Sequence, residues 1–152
     1  MKQSEIYEVL RELNIVERYL SLVQSHRIPI KESFEKYDNQ RVIEIIETLG
    51  YHVKYVKSEN FFKIPFDACM EARFQLNLIL KYGIVDIVFC TWWKDEVLTG
   101  VPMSLLVKRV SEDEIETKKP LFRNYDELNE ILREVFVLYE DYYSRVKSKL
   151  SV

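Results

Sequence analysis

Residues Arg73–Tyr82 alternate strictly. Phe74, Leu76, Leu78, Leu80 and Tyr82 share one face, and Arg73, Gln75, Asn77, Ile79 and Lys81 share the other. Strand side chains alternate with period two, so this pattern predicts a strand with one buried and one wet face. It suits an antiparallel sheet covered on one side and open on the other. Gly83 permits a turn. Ile84–Trp93, apolar on both faces apart from Asp86, predicts an interior strand. Lys94-Asp95-Glu96 is polar between two β-rich runs and predicts a hairpin loop. Val97–Arg109 then predicts a returning strand with Met103, Leu105 and Val107 inward, and Gly100 and Pro102 mark a bulge or an edge position. Upstream, Tyr51–Lys57 and Phe61–Phe66 read as two further strands, joined by a turn at Ser58-Glu59-Asn60, and Asp67–Ala72 is a connector. Each connection is too short for a parallel crossover, so the five strands form a meander.

The flanks change period. Ile6, Val9, Leu10, Leu13, Val16, Leu20 and Val23 recur at steps of three and four, which predicts a helix from a Ser4 cap to about Gln24 or Ser25. Pro29 stops it. Lys31–Tyr37 has no decisive period; a short helix is one reading. Asp38 or Asn39 caps a second helix, whose buried side is Val42, Ile43, Ile45, Ile46 and Leu49, and Gly50 ends it. Ser111–Lys119 is polar and predicts an exposed loop or hairpin tip. Asn124, with Glu127 three residues on, opens a long final helix as a capping box. Tyr125, Leu128, Ile131, Leu132, Val135, Phe136, Tyr139, Tyr142, Tyr143 and Val146 carry its helical period. The expected fold is one α+β domain over residues 1–152. It has an antiparallel meander of about five strands, two N-terminal helices, and a long C-terminal helix packed mainly on one face.

Composition supports a folded core: 47% of residues are hydrophobic and 13% aromatic. No run approaches the roughly 20 apolar residues of a membrane span. The start, Met1–Glu5, passes directly into an amphipathic pattern without a basic segment and apolar block, so the expected compartment is the cytoplasm. The formal net charge is −3, with a mildly basic middle and acidic ends, which is a poor footprint for nucleic acid.

Three isolated glycines exclude a phosphate loop, and no nucleophile elbow, paired-His zinc helix or calcium loop is present. Cys69 and Cys90, with His26 and His52, show no metal-ligand spacing, so neither metal nor cofactor is expected. Cys90, inside the most apolar strand, behaves as a small hydrophobe. His52, Cys69 and Asp86 remain formal candidates for a pocket of a small enzyme or a small-molecule-binding domain. Asp86 interrupts an apolar strand, where a buried carboxylate is costly unless paired; proximity to the Gly83 turn lets it reach water. Trp92 and Trp93 point to opposite faces, one toward the core and one available at an interface. The candidate partner-binding set is Glu59, Gln75, Asn77, Asp86, Trp92, Trp93, Asp95 and Glu96.

Four stretches carry a family resemblance: Glu47-Thr48-Leu49-Gly50-Tyr51, Ser58-Glu59-Asn60-Phe61-Phe62, Leu80-Lys81-Tyr82-Gly83-Ile84-Val85-Asp86, and Pro120-Leu121-Phe122-Arg123-Asn124-Tyr125-Asp126-Glu127-Leu128. Within roughly Glu44 to Val146, the order of parts resembles bacterial immunity proteins that neutralise polymorphic or contact-dependent toxins. The resemblance implies a role and no particular residue. The role is that of a non-enzymatic cytoplasmic protein which binds one cognate toxin domain and blocks its active site without a cofactor; separately from the resemblance, the expected assembly is a monomer or weak homodimer. Against a nuclease toxin, acidic loops would mimic phosphates. The basic middle segment moves that mimicry to the helices or to Glu112–Glu116.

Overall fold

The structure, a computed structural model, describes residues 1–151. Five antiparallel strands form one sheet in the order of the chain: β1 (Lys54–Val56), β2 (Phe61–Cys69), β3 (Ala72–Lys81), β4 (Ile84–Trp93) and β5 (Glu96–Thr99). The helices are α1 (Gln3–Glu12), α2 (Ile15–Ser25), α3 (Asn39–Thr48), α4 (Met103–Val110) and α5 (Tyr125–Leu150). This is the expected α+β meander with its long closing helix.

Register explains the core. Phe62, Ile64 and Phe66 of β2 pair with Leu78, Leu76 and Phe74 of β3. The latter three pair with Ile87, Phe89 and Thr91 of β4. In-register partners lie on one face, so one continuous apolar layer results. The tyrosine stripe of α5 seals it: Tyr139 packs edge-on against Phe66 and Phe89, each at a centroid distance of 4.7 Å, and Tyr143 packs against Phe74 at 4.9 Å.

Several elements depart from the sequence expectation. The predicted strand Val97–Arg109 ends at Thr99 and gives way to α4. Its buried residues are Met103, Leu106, Val107 and Val110, spaced for a helix, while Leu105 faces outward at 39% exposure. Pro102, with φ of −54°, stands at the helix start, where its missing N–H is harmless. The first predicted helix is two: Asn14 adopts φ 54°, ψ 41° between α1 and α2, a conformation Asn tolerates. The break rotates the apolar stripe, so α2 buries Ile15, Tyr19, Leu22 and Val23 in place of Val16 and Leu20. Lys2, and not Ser4, stands at the N-terminal boundary of α1, where its backbone N–H donates to the Glu5 carboxylate at 3.1 Å. Ile30–Glu32 forms a single 3-10 turn. β1 starts at Lys54 because Tyr51 leaves the sheet to stack on Phe136 at 3.9 Å. β2 runs on to Cys69 through a bulge, absorbing half of the expected connector. Tyr82, expected inward, is 60% exposed in the turn.

Asp38 caps α3 by accepting from the Gln40 N–H at 2.8 Å. Asn124 caps α5 by accepting from the Glu127 N–H at 2.9 Å. The reciprocal bond runs one residue earlier than expected: Glu127 accepts from the Arg123 N–H at 2.8 Å and pairs with its guanidinium at 2.7 Å. The hydrogen bond from the Arg123 guanidinium, aided by the Arg123 N–H and charge, lowers the Glu127 carboxyl from its ordinary value.

Two buried tyrosines of α5 make opposite predictions. The Tyr142 hydroxyl bonds the buried Thr91 hydroxyl at 2.5 Å. The Tyr139 hydroxyl is buried near the Gln75 backbone without a well-formed hydrogen bond among the described residues. Tyr142→Phe orphans Thr91 and is expected to cost about 1–3 kcal/mol, whereas Tyr139→Phe removes an unpaired polar atom and is expected to be neutral or stabilising. Urea midpoints of the two variants at constant slope check this; a loss for Tyr139→Phe equal to that of Tyr142→Phe would contradict it.

Candidate partner-binding surface

The helices pack against one face of the sheet. The other face is built by the alternate residues of the same strands, and the register sets its rows. Phe61, Ile79 and Asp86 form one row; Lys63, Asn77 and Val88 the next; then Pro65, Gln75 and Cys90; then Arg73, Trp92 and Val97. Lys54 extends the Lys63 row across β1, and Lys81 pairs with Ile84 beyond the Asp86 row. These side chains are half-buried or exposed, apart from Val88 and Cys90, which lie under their neighbours at the centre. The ten-residue β3 makes this surface about 33 Å long at the usual strand rise.

Polar contacts organise it. Gln75 donates to Asn77 at 2.6 Å, and Asn77 donates toward the Cys90 sulfur at 3.5 Å, an amide ladder across β3 and β4. Burial pushes the Cys90 thiol up to about 11, so it is a protonated, inert group. Asp86 is paired: Lys119, from the segment before α5, reaches it at 2.9 Å. The Arg73 guanidinium lies over the Trp92 ring, 4.8 Å from its centroid. Its carboxylate neighbour Asp95 is 3.6 Å away and 93% exposed, a pairing of little weight in water.

The sequence candidates therefore separate. Gln75, Asn77, Asp86 and Trp92 share the open face. Trp93, paired with buried Ala72, packs against the core. Asp95 and Glu96 lie at the β4–β5 turn, at the end of the sheet opposite Glu59, which sits in the β1–β2 turn. The acidic candidates thus do not form one cluster. Sequence reasoning missed Lys54, Lys63 and Phe61. Alternation of Lys63 between buried Phe62 and Ile64 was the available signal.

His52, Cys69 and Asp86 are not assembled into a site. Cys69 pairs with Ala72 and Asp86 with Ile79, seven residues along β3, about 23 Å at the usual strand rise. His52 is exposed ahead of β1. Grooves flank α5 on the helical side, one lined by Arg18, Leu22 and Val137 and another by Leu49, Tyr51 and Val137, and none of the three candidates lines either. Among the described residues no group of three or more His, Cys, Asp or Glu is disposed to hold a metal ion. No helix among them is long and apolar enough to cross a membrane. Comparison with protein families, with characterised proteins and with solved structures finds no match to this chain.

Proposed function

We propose that this chain is a non-enzymatic binding protein of the immunity type, acting in the cytoplasm, whose open sheet face covers the active site of a cognate bacterial toxin. The observation that carries the reading is the asymmetry of the sheet. One face is sealed by α5, and the other presents Gln75, Asn77 and Trp92 to solvent on a rigid support. Interfaces favour amphipathic tryptophan and rigid platforms, since little side-chain entropy is lost on docking. The resemblance in the order of parts supports the toxin class, and the geometry supports the docking surface.

The test is co-expression with the reading frame adjacent to this one. The expected result is that the neighbour arrests growth alone, that this chain restores growth, and that the two co-purify. A neighbour that is no toxin, together with a chain that purifies without any partner, would remove the basis of the reading.

A further inference from the structure

The charges in register on the open face are nearly all of one sign. Lys54 and Lys63 stand opposite each other across β1 and β2, and Arg73 and Lys81 stand near the two ends of the same face of β3. The one acidic side chain in these rows, Asp86, is already held by Lys119 at 2.9 Å. Asp67 is exposed in the β2 bulge, outside the paired rows. Between the cations lie apolar and amide groups: Ile79, Val88 and the Gln75–Asn77 ladder.

We infer that the occupant of this face is a protein surface rich in carboxylates, with an apolar centre. This rests on the binding role proposed above and specifies the partner's chemistry. Complementary charge around an apolar centre fixes register and speeds encounter. Nucleic acid fits less well. The cations are spread over three strands and do not track one line, as a phosphate backbone requires. The Arg73 guanidinium lies over one face of the half-buried Trp92 ring, which leaves that face closed to a stacking base. The same geometry rules this face out as a phosphate mimic: it meets an acidic toxin surface and does not imitate a nuclease substrate.

The experiment uses the full chain, isotope-labelled, titrated with a soluble Glu-rich peptide containing leucine, and in parallel with oligo-deoxythymidylate of matched charge. The expected result is amide shifts confined to β1–β4 around Lys63, Arg73 and Trp92, with affinity falling as salt rises. The double variant Lys63→Glu/Arg73→Glu is expected to weaken peptide binding about ten-fold or more. Arg133→Glu, exposed on α5, is expected to leave it unchanged. A circular dichroism spectrum and urea midpoint equal to the parent's show that the double variant folds. No binding, shifts mapping to the helices, or tighter binding of the oligonucleotide would overturn the inference, the last in favour of nucleic acid. Growth protection that survives the double variant would also overturn it while leaving the immunity role intact. Failure of protection by the parent chain, with peptide binding to the face intact, would count against the immunity role alone.

Discussion

Gly83→Ala is expected to destabilise the protein by about 2–5 kcal/mol, the sum of positive-φ strain and forced overlap. Gly83 has φ of +77°, and a Cβ there would stand 2.6 Å from the Phe34 backbone nitrogen, 2.8 Å from the Ser33 Cβ and 2.9 Å from the Phe122 carbonyl oxygen. Two of these contacts are backbone atoms and cannot swing aside. They also belong to a junction. The Phe122 N–H donates to the Gly83 carbonyl at 2.9 Å, the Phe34 N–H donates to the Phe122 carbonyl at 2.8 Å, and the Val85 N–H donates to the Pro120 carbonyl at 3.0 Å. The β3–β4 turn, the segment after α2 and the entry to α5 therefore close on one another at this residue. Tyr82 and Gly83 both have positive φ, the pattern of a tight type I′ hairpin turn. Gly50→Ala is the control. Its φ is +101°, yet nothing lies within 4 Å of the added Cβ, so only the backbone penalty, about 1 kcal/mol, is expected. Urea unfolding of both variants measures the difference. Equal losses would mean that the junction at Gly83 is loose in solution.

That junction marks the boundary of what the sequence conveys. The turn at Gly83 was legible because a glycine separates two period-two runs. Its contacts with Phe34 and Phe122 were not, because nothing local places those residues together. β3 was legible since Phe74, Leu76, Leu78 and Leu80 alternate with polar or charged neighbours and one isoleucine. α5 was legible from its stripe and the Asn124 cap. Residues 103–110 misled because two patterns coexist there. Met103, Leu105 and Val107 satisfy period two, whereas Met103, Leu106, Val107 and Val110 satisfy the helical period. Pro102, better suited to a helix start than to a strand interior, was the deciding residue. At α1–α2, one left-handed asparagine moved the stripe without interrupting the apolar content. The candidate surface was half legible. Gln75 and Asn77 followed from alternation alone. Their neighbours Lys63 and Cys90 depend on strand register, and the Asp86–Lys119 pair spans 33 residues. Both are tertiary facts.

The difference between the two faces has its own consequence within one strand. Leu76 and Asn77 are adjacent, but Leu76 is fully buried between Ile64 and Phe89, and Asn77 lies on the open side between Lys63 and Val88. Leu76→Ala is expected to cost about 2–5 kcal/mol, through lost burial and the cavity left under α5. Leu76→Asp places an unpaired charge in the same layer and is expected to leave the chain unfolded, since such a charge costs several kcal/mol on top of the lost leucine, against a total stability of about 5–15 kcal/mol. Asn77→Ala removes a hydrogen bond from half-buried Gln75, which can turn to water, and a weak contact with the buried Cys90 sulfur, so about 1 kcal/mol or less is expected. Asn77→Asp, beside Lys63, is expected to fold with an unchanged urea midpoint. Parallel unfolding curves at two protein concentrations make the comparison decisive. A penalty at Asn77 as large as at Leu76, with a midpoint that rises with concentration, would mean that a second copy of the chain seals this face. In that case it would not be free for another partner.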